Sequence, residues 1–228
     1  MDSGRLEAFS DGVFAVAITL LALNLAVGGP GKQTLAAQLG GHWPAFVAYA
    51  ISFATIGIIW VNHHAMFKNV SDIDRTLLFL NLLLLFFVVS IPFATSTIAA
   101  YLREDNADAS LAAAIYQGVF VGMSISFTLL FWWAIRREHL LVALTPQQGR
   151  QALIRFGIGN LFYIAGIGIA FVSAPASLAL AGLVAVYYIF ERTPSRGPLP
   201  PDDNGPTTAA AADPLQSERD TEQPDIKN

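Results

Sequence analysis

Cysteine is absent from all 228 residues, which excludes a disulfide framework, a thiolate metal centre and a thiol nucleophile. Charge is scarce too. Only 13% of the residues are Asp, Glu, Lys or Arg, against about 25% in ordinary soluble domains. No basic cluster points to a nucleic-acid partner, and the net charge of −4 carries little information because much of the acid lies near the C-terminus. What fills the chain is apolar: 54% of it is hydrophobic, with a mean hydropathy of +0.51. Gathered into runs of about 20 residues, that composition makes lipid the main solvent.

Six apolar segments can be marked, at about 6–27, 43–67, 77–102, 111–135, 152–173 and 175–191. Each is long enough to cross a hydrocarbon layer of about 30 Å at 1.5 Å per residue, the last only just. The fifth and sixth meet at Ser173-Ala174-Pro175-Ala176-Ser177, which predicts a tight hairpin; one long re-entrant segment is the alternative. With six spans, Arg5, Lys68, Arg75, Arg136, Arg137, Arg150, Arg155, Arg192 and Arg196 fall on one side, and only Lys32 and Arg103 on the other. That asymmetry predicts a multi-pass protein of the cell membrane with both termini in the cytoplasm. Trp43, Trp132, Trp133, Tyr187 and Tyr188 sit near predicted ends, as an interfacial aromatic belt does.

Two units are therefore expected: a six-helix all-α membrane unit over residues 1–192 and a disordered cytoplasmic tail over 193–228. The tail is rich in Pro, Asp, Ala, Thr and Glu and has too little apolar surface to fold. A signal peptide is the other way to read the N-terminus, but Asp2, Glu7 and Asp11 outnumber Arg5 there, the wrong charge pattern for one. Pro92 should kink the third span. Gly157, Gly159, Gly166 and Gly168 should admit close helix approach in the fifth. Asn24 faces either a pore mouth or the interface.

The stretch from Arg5 to Leu21 is the most informative. It puts Arg5, Ser10 and Asp11 at the start of a membrane span, where an unpaired charge is costly and marks a functional-site hypothesis. The plain alternative is an interfacial Arg5 and Glu7 with Asp11 capping one turn deeper. At about 100° per residue, Val16, Thr19, Leu20 and Leu23 share one stripe, and Asp11 lies about 140° from Val16. Taken alone, such a stripe reads as ordinary helix packing.

The string Arg5-x-x-x-Phe9-Ser10-Asp11-Gly12-Val13-Phe14-Ala15 resembles the signature of the transmembrane protein 175 family, the endolysosomal potassium channels and their prokaryotic relatives. The resemblance covers roughly residues 1–191 and is sharpest in the first helix and at the end of the second. It implies a homotetramer of single six-helix units, in the lipid bilayer, whose first helices surround a passive path for potassium ions. The hydrophobic constriction then falls on Val16, with Leu20 and Leu23 also facing the pore and Thr19 as the polar layer linked with potassium preference. Val16 is shorter than the Ile or Leu more usual at that position, which implies a wider and more easily wetted neck. A Thr-Val-Gly-Tyr-Gly filter loop does not occur in the chain; a hydrophobic constriction gates by dewetting instead.

The second segment ends Trp60-Val61-Asn62-His63-His64-Ala65-Met66-Phe67. Trp60, His63, His64 and Phe67 share a face at i, i+3, i+4, i+7 spacing, and Asn81 lies at similar depth in the third segment. A Trp-x-x-His-His segment accompanies the first-helix motif in the family. We therefore expect a structural network joining Arg5, Phe9, Ser10 and Asp11 to Trp60, His63, His64 and Asn81, which fixes the first helix while its other face lines the pore. A proton-sensing role for the histidines is an alternative. A zinc or iron site of Asp11, His63 and His64 is disfavoured, because adjacent helical residues point about 100° apart. No metal, cofactor or catalytic residue is expected, and the only inorganic partner is permeant potassium. Two further classes compete: a secondary, proton-coupled transporter using Asp11 and His63 or His64, weakened by the lack of an internal repeat, and a membrane enzyme, which lacks a nucleophile–base pair.

Overall fold

A computed structural model describes residues 3–25, 29, 31, 34–104, 106–137 and 146–190. The proposed tail, 193–228, lies outside them, as do Lys32, Arg192 and Arg196. The described residues form seven α-helices: α1 (Ser3–Ala22), α2 (Leu35–Gly41), α3 (Trp43–Phe67), α4 (Arg75–Tyr101), α5 (Ala107–Arg136), α6 (Pro146–Ala170) and α7 (Ala174–Phe190). A 3₁₀ turn, Leu23–Leu25, follows α1.

Side-chain caps start α2, α4 and α5 by satisfying orphan N–H groups. Thr34 accepts from Ala37 N, Asp74 from Leu77 N, and Asn106 from both Asp108 N and Ala109 N. Pro44 opens α3, where its missing N–H costs nothing. Helix α4 passes through Pro92 as one element. Between α6 and α7 the chain turns in three residues, with Ser173 Oγ accepting from Ala176 N to start α7.

The order of packing follows chain order. Helix α4 lies against α1, α3 and α5; α6 lies between α5 and α7, and α7 returns to α3 and α5. Leu77, Leu84, Val88, Ile91 and Ile98 of α4 meet Phe14, Ala17 and Leu21 of α1 and Tyr116, Phe120 and Phe127 of α5 in one continuous core. Large apolar side chains also cover the outside. Phe79, Phe86 and Phe93 recur every seven residues on the exposed side of α4, an apolar patch that a soluble monomer does not present.

Four helices, α3 to α6, are long and apolar enough to cross a membrane, so the chain is an all-α multi-pass membrane protein. The expectation of six spans counts α1 and α7 as well. Helix α1 is set apart by Arg5, Glu7 and Asp11 in its first three turns, and α7 by its length of 17 residues.

Two of the four glycines singled out in α6 admit a neighbour. A Cβ on Gly159 would run into the Tyr188 hydroxyl, and one on Gly166 would stand 2.6 Å from the Gln117 amide carbon. Among the described residues of one chain, Gly157 and Gly168 have no such neighbour within 4 Å. The space left by Gly166 lets Gln117 Nε2 donate to the Ser177 carbonyl at 2.7 Å, while Ser177 Oγ donates to Gly166 O at 2.9 Å. Another buried cluster, Ser52, Thr95 and the Tyr116 hydroxyl, ties α3, α4 and α5 together through contacts of 2.7 and 3.0 Å.

Candidate functional site

Helix α1 has two unlike faces. Leu6, Ser10, Phe14, Ala17 and Leu21, spaced by three and four, are buried against the rest of the chain. Val16, Leu20 and Leu23 are 55%, 40% and 71% exposed, and Thr19 is exposed beside them. Leu23 belongs to the 3₁₀ turn rather than to the α-helix. The Thr19 hydroxyl donates to Val16 O at 2.8 Å. Its hydrogen is thereby committed to the backbone, and the oxygen lone pairs stay on the outer face.

The inner face is held by two separate sets of polar contacts. In the first, Ser10 Oγ donates to Leu6 O at 2.9 Å and accepts from Asn81 Nδ2 at 3.0 Å. Asn81 Oδ1 then faces His63 Nε2 at 2.8 Å. With the amide nitrogen committed to Ser10, that oxygen is the acceptor, which puts the histidine proton on Nε2. Ser10, Asn81 and His63 are all fully buried. The His63 ring stacks on Phe67 at 4.3 Å and tilts against Phe14 at 5.3 Å.

The second set is partly open. Trp60 Nε1 donates to Asp11 Oδ1 at 2.9 Å. His64 Nδ1 lies 2.8 Å from Glu7 Oε1 and 3.8 Å from Asp11 Oδ2, and the His64 ring stacks on Trp60 at 5.6 Å. The Trp60-to-Phe67 face is thus two i, i+4 ladders: Trp60 and His64 reach the carboxylates, while His63 and Phe67 enter the core.

Of the residues expected in the network, Ser10, Asp11, Trp60, His63, His64 and Asn81 take part in these contacts. Arg5 is exposed and Phe9 is 50% exposed. Arg5 forms no ion pair among the described residues, and five residues of helix place it about 140° around α1 from Ser10. Glu7, which only the plain alternative places, at the interface, is a further member of the second set. It sits four residues before Asp11, only about 40° around the helix, and that spacing was the available signal. The disfavoured pairing of His63 with His64 on one ion does not arise here, since the two rings point into different clusters.

The helices that build this site are also where the chain matches known proteins. A profile of the family described as endosomal/lysosomal potassium channel TMEM175 matches residues 5–92, which take in α1, α3 and most of α4. A potassium channel of Streptomyces collinus is 49% identical over 197 residues, covering 85% of this chain and 94% of that protein. The human endosomal/lysosomal proton channel TMEM175 is 32% identical over 181 residues, 74% of this chain but 35% of its own length. Among solved structures, the crystal structure of a lysosomal potassium-selective channel TMEM175 homolog from Chamaesiphon minutus superposes with a TM-score of 0.71 at 34% identity, covering 82% of this chain and 96% of that one. An exposed stripe on an anchored first helix, in a chain so closely related to channels along its length, identifies it as a member of the TMEM175 family of ion channels and not an enzyme.

Proposed function

We propose that the chain is one subunit of a homotetrameric, potassium-preferring cation channel of the cell membrane. In this reading α1 and α7 cross the bilayer with α3 to α6, giving six spans, both termini cytoplasmic and the 193–228 tail on that side. The observation that carries the proposal is the two-faced first helix. Ser10 and Asp11 tie one face to α3 and α4, while Val16, Thr19, Leu20 and Leu23 remain uncovered within the subunit. Facing a central axis, those residues form an apolar neck at Val16, Leu20 and Leu23 and a ring of hydroxyl oxygens at Thr19.

An apolar neck resists wetting and so gates conduction, while oxygen rings replace part of an ion's hydration shell. The donor half of Thr19 is committed to Val16 O, so what it offers the pore is a lone pair, suited to a cation. Passive conduction through such a path needs no cofactor. The family names of relatives, potassium channel in bacteria, support the choice of ion.

Proton conduction is the second reading, favoured by the human relative, a proton channel, and by the partly open Glu7, Asp11 and His64 group. Flux into liposomes of the purified protein separates the readings. A potassium gradient alone should drive rapid flux, reported by a voltage-sensitive dye. Flux requiring a proton or sodium gradient would favour a coupled carrier built on Asp11 and the histidines, and acidification without potassium movement would favour a proton channel.

A further inference from the structure

Helix α1 brings two carboxylates, Glu7 and Asp11, to one side at i, i+4 spacing, and α3 presents one imidazole, His64, between them. One donor atom from each lies within 4.8 Å of the other two. Like charges at this spacing repel, and a single imidazole supplies at most one compensating charge. A divalent cation supplies two.

The geometry at His64 is the telling part. Its Nδ1 is buried and has no partner in hydrogen-bonding geometry, although Glu7 Oε1 is only 2.8 Å away. A hydrogen-bond acceptor lies along the ring nitrogen's axis. Two ligands of one ion do not: with bonds of about 2.1 Å to a tetrahedral or octahedral centre, the second ligand lies about 35–45° off that axis and about 3.0–3.4 Å from the first. The distances from Nδ1 to the two carboxylates, 2.8 and 3.8 Å, bracket that separation, so side-chain adjustments of a few tenths of an ångström close the shell. The surroundings are those of an outer coordination sphere. Trp60 holds Asp11 Oδ1 and leaves Oδ2 turned to His64, and the indole face orients the imidazole. All three side chains are partly exposed, which gives an ion an entry path and room for bound water.

We propose that Glu7, Asp11 and His64 form a binding site for a divalent transition-metal ion of the zinc class, clamping α1 to α3. One nitrogen and two oxygens suit zinc or cobalt better than the harder magnesium or calcium ions, which favour all-oxygen shells. Occupancy would stiffen the attachment of the first helix.

The test uses the whole 228-residue chain, stripped with chelator and titrated with Co²⁺. One ion per chain, with visible ligand-field bands that Zn²⁺ abolishes, is expected. Glu7→Gln and His64→Gln should each weaken binding at least about 10-fold, whereas His42→Gln, on α2's C-cap, should not. A second measurement needs no variant: Zn²⁺ should protect His64 from acylation by diethylpyrocarbonate, read by mass spectrometry. Absence of that protection, or cobalt bands that survive both substitutions, would overturn the site.

Discussion

Trp60 Nε1 donates to Asp11 Oδ1 at 2.9 Å, the hydrogen bond by which α3 holds the carboxylate of α1. One residue earlier, Ser10 is held by Asn81 of α4. Two consecutive residues of one helix are thus gripped by two different neighbours, which fixes both the depth and the rotation of α1. The motif around Ser10 and Asp11 is therefore an anchor, and the exposed stripe proposed to meet ions lies on the other side of the helix.

Asp11→Ala removes an ionised acceptor from Trp60 and should destabilise the subunit by about 1–2 kcal/mol, the lower part of the range for charged hydrogen bonds because the site is partly exposed. Asp11→Asn keeps an acceptor and should lose less than half of that. Apparent melting temperature and elution of the purified oligomer measure both. A well-assembled Asp11→Ala protein whose flux had become coupled to another ion would favour a carrier.

Asn81 has no exposure to soften its loss. Asn81→Leu leaves the Ser10 hydroxyl oxygen and His63 Nε2–H without partners in the core, at about 1–3 kcal/mol each. Yield of folded protein should fall more than for any Asp11 substitution. Equal yields would mean that the buried set contributes little.

Gly166 and Gly168 make a matched pair on α6. Gly166→Ala drives a methyl group into the Gln117 amide and displaces its bond to Ser177, costing about 1–3 kcal/mol. Gly168→Ala meets open space and should change melting by no more than about 0.5 kcal/mol. Thermal unfolding in detergent compares the two directly.

Thr19→Val keeps shape and removes the hydroxyl oxygen from the outer face of α1. Conduction should persist while preference for potassium over sodium falls several-fold, measured as a shift of reversal potential under bi-ionic conditions. Unchanged preference would remove Thr19 from the selectivity layer.

Much of this was legible in the sequence because it depends on period. Hydropathy located α3 at Trp43–Phe67 to the residue, and about 100° per residue put Asp11 and Val16 on different faces of α1. Less visible was whatever depended on a neighbour. Helix α2 has seven residues between the first two apolar segments and owes its start to Thr34, too short to leave a periodic signal. Glu7 could be placed on α1 but not given a partner, since His64 comes from 57 positions further along the chain. Gly159 and Gly157 look alike in sequence, and only the packing of Tyr188 separates them.

The absence of cysteine offers the most direct examination of the pore assignment. Val16→Cys gives one thiol per subunit on the exposed face of α1, and Phe86→Cys gives one on the exposed side of α4. With either protein in potassium-loaded liposomes, a cationic methanethiosulfonate reagent is added and potassium flux is followed. The proposed pore predicts that labelling at position 16 blocks most of the flux, while labelling at position 86 leaves it intact. Full labelling at position 16 with undiminished flux would mean that ions pass elsewhere and that α1 does not line the pore.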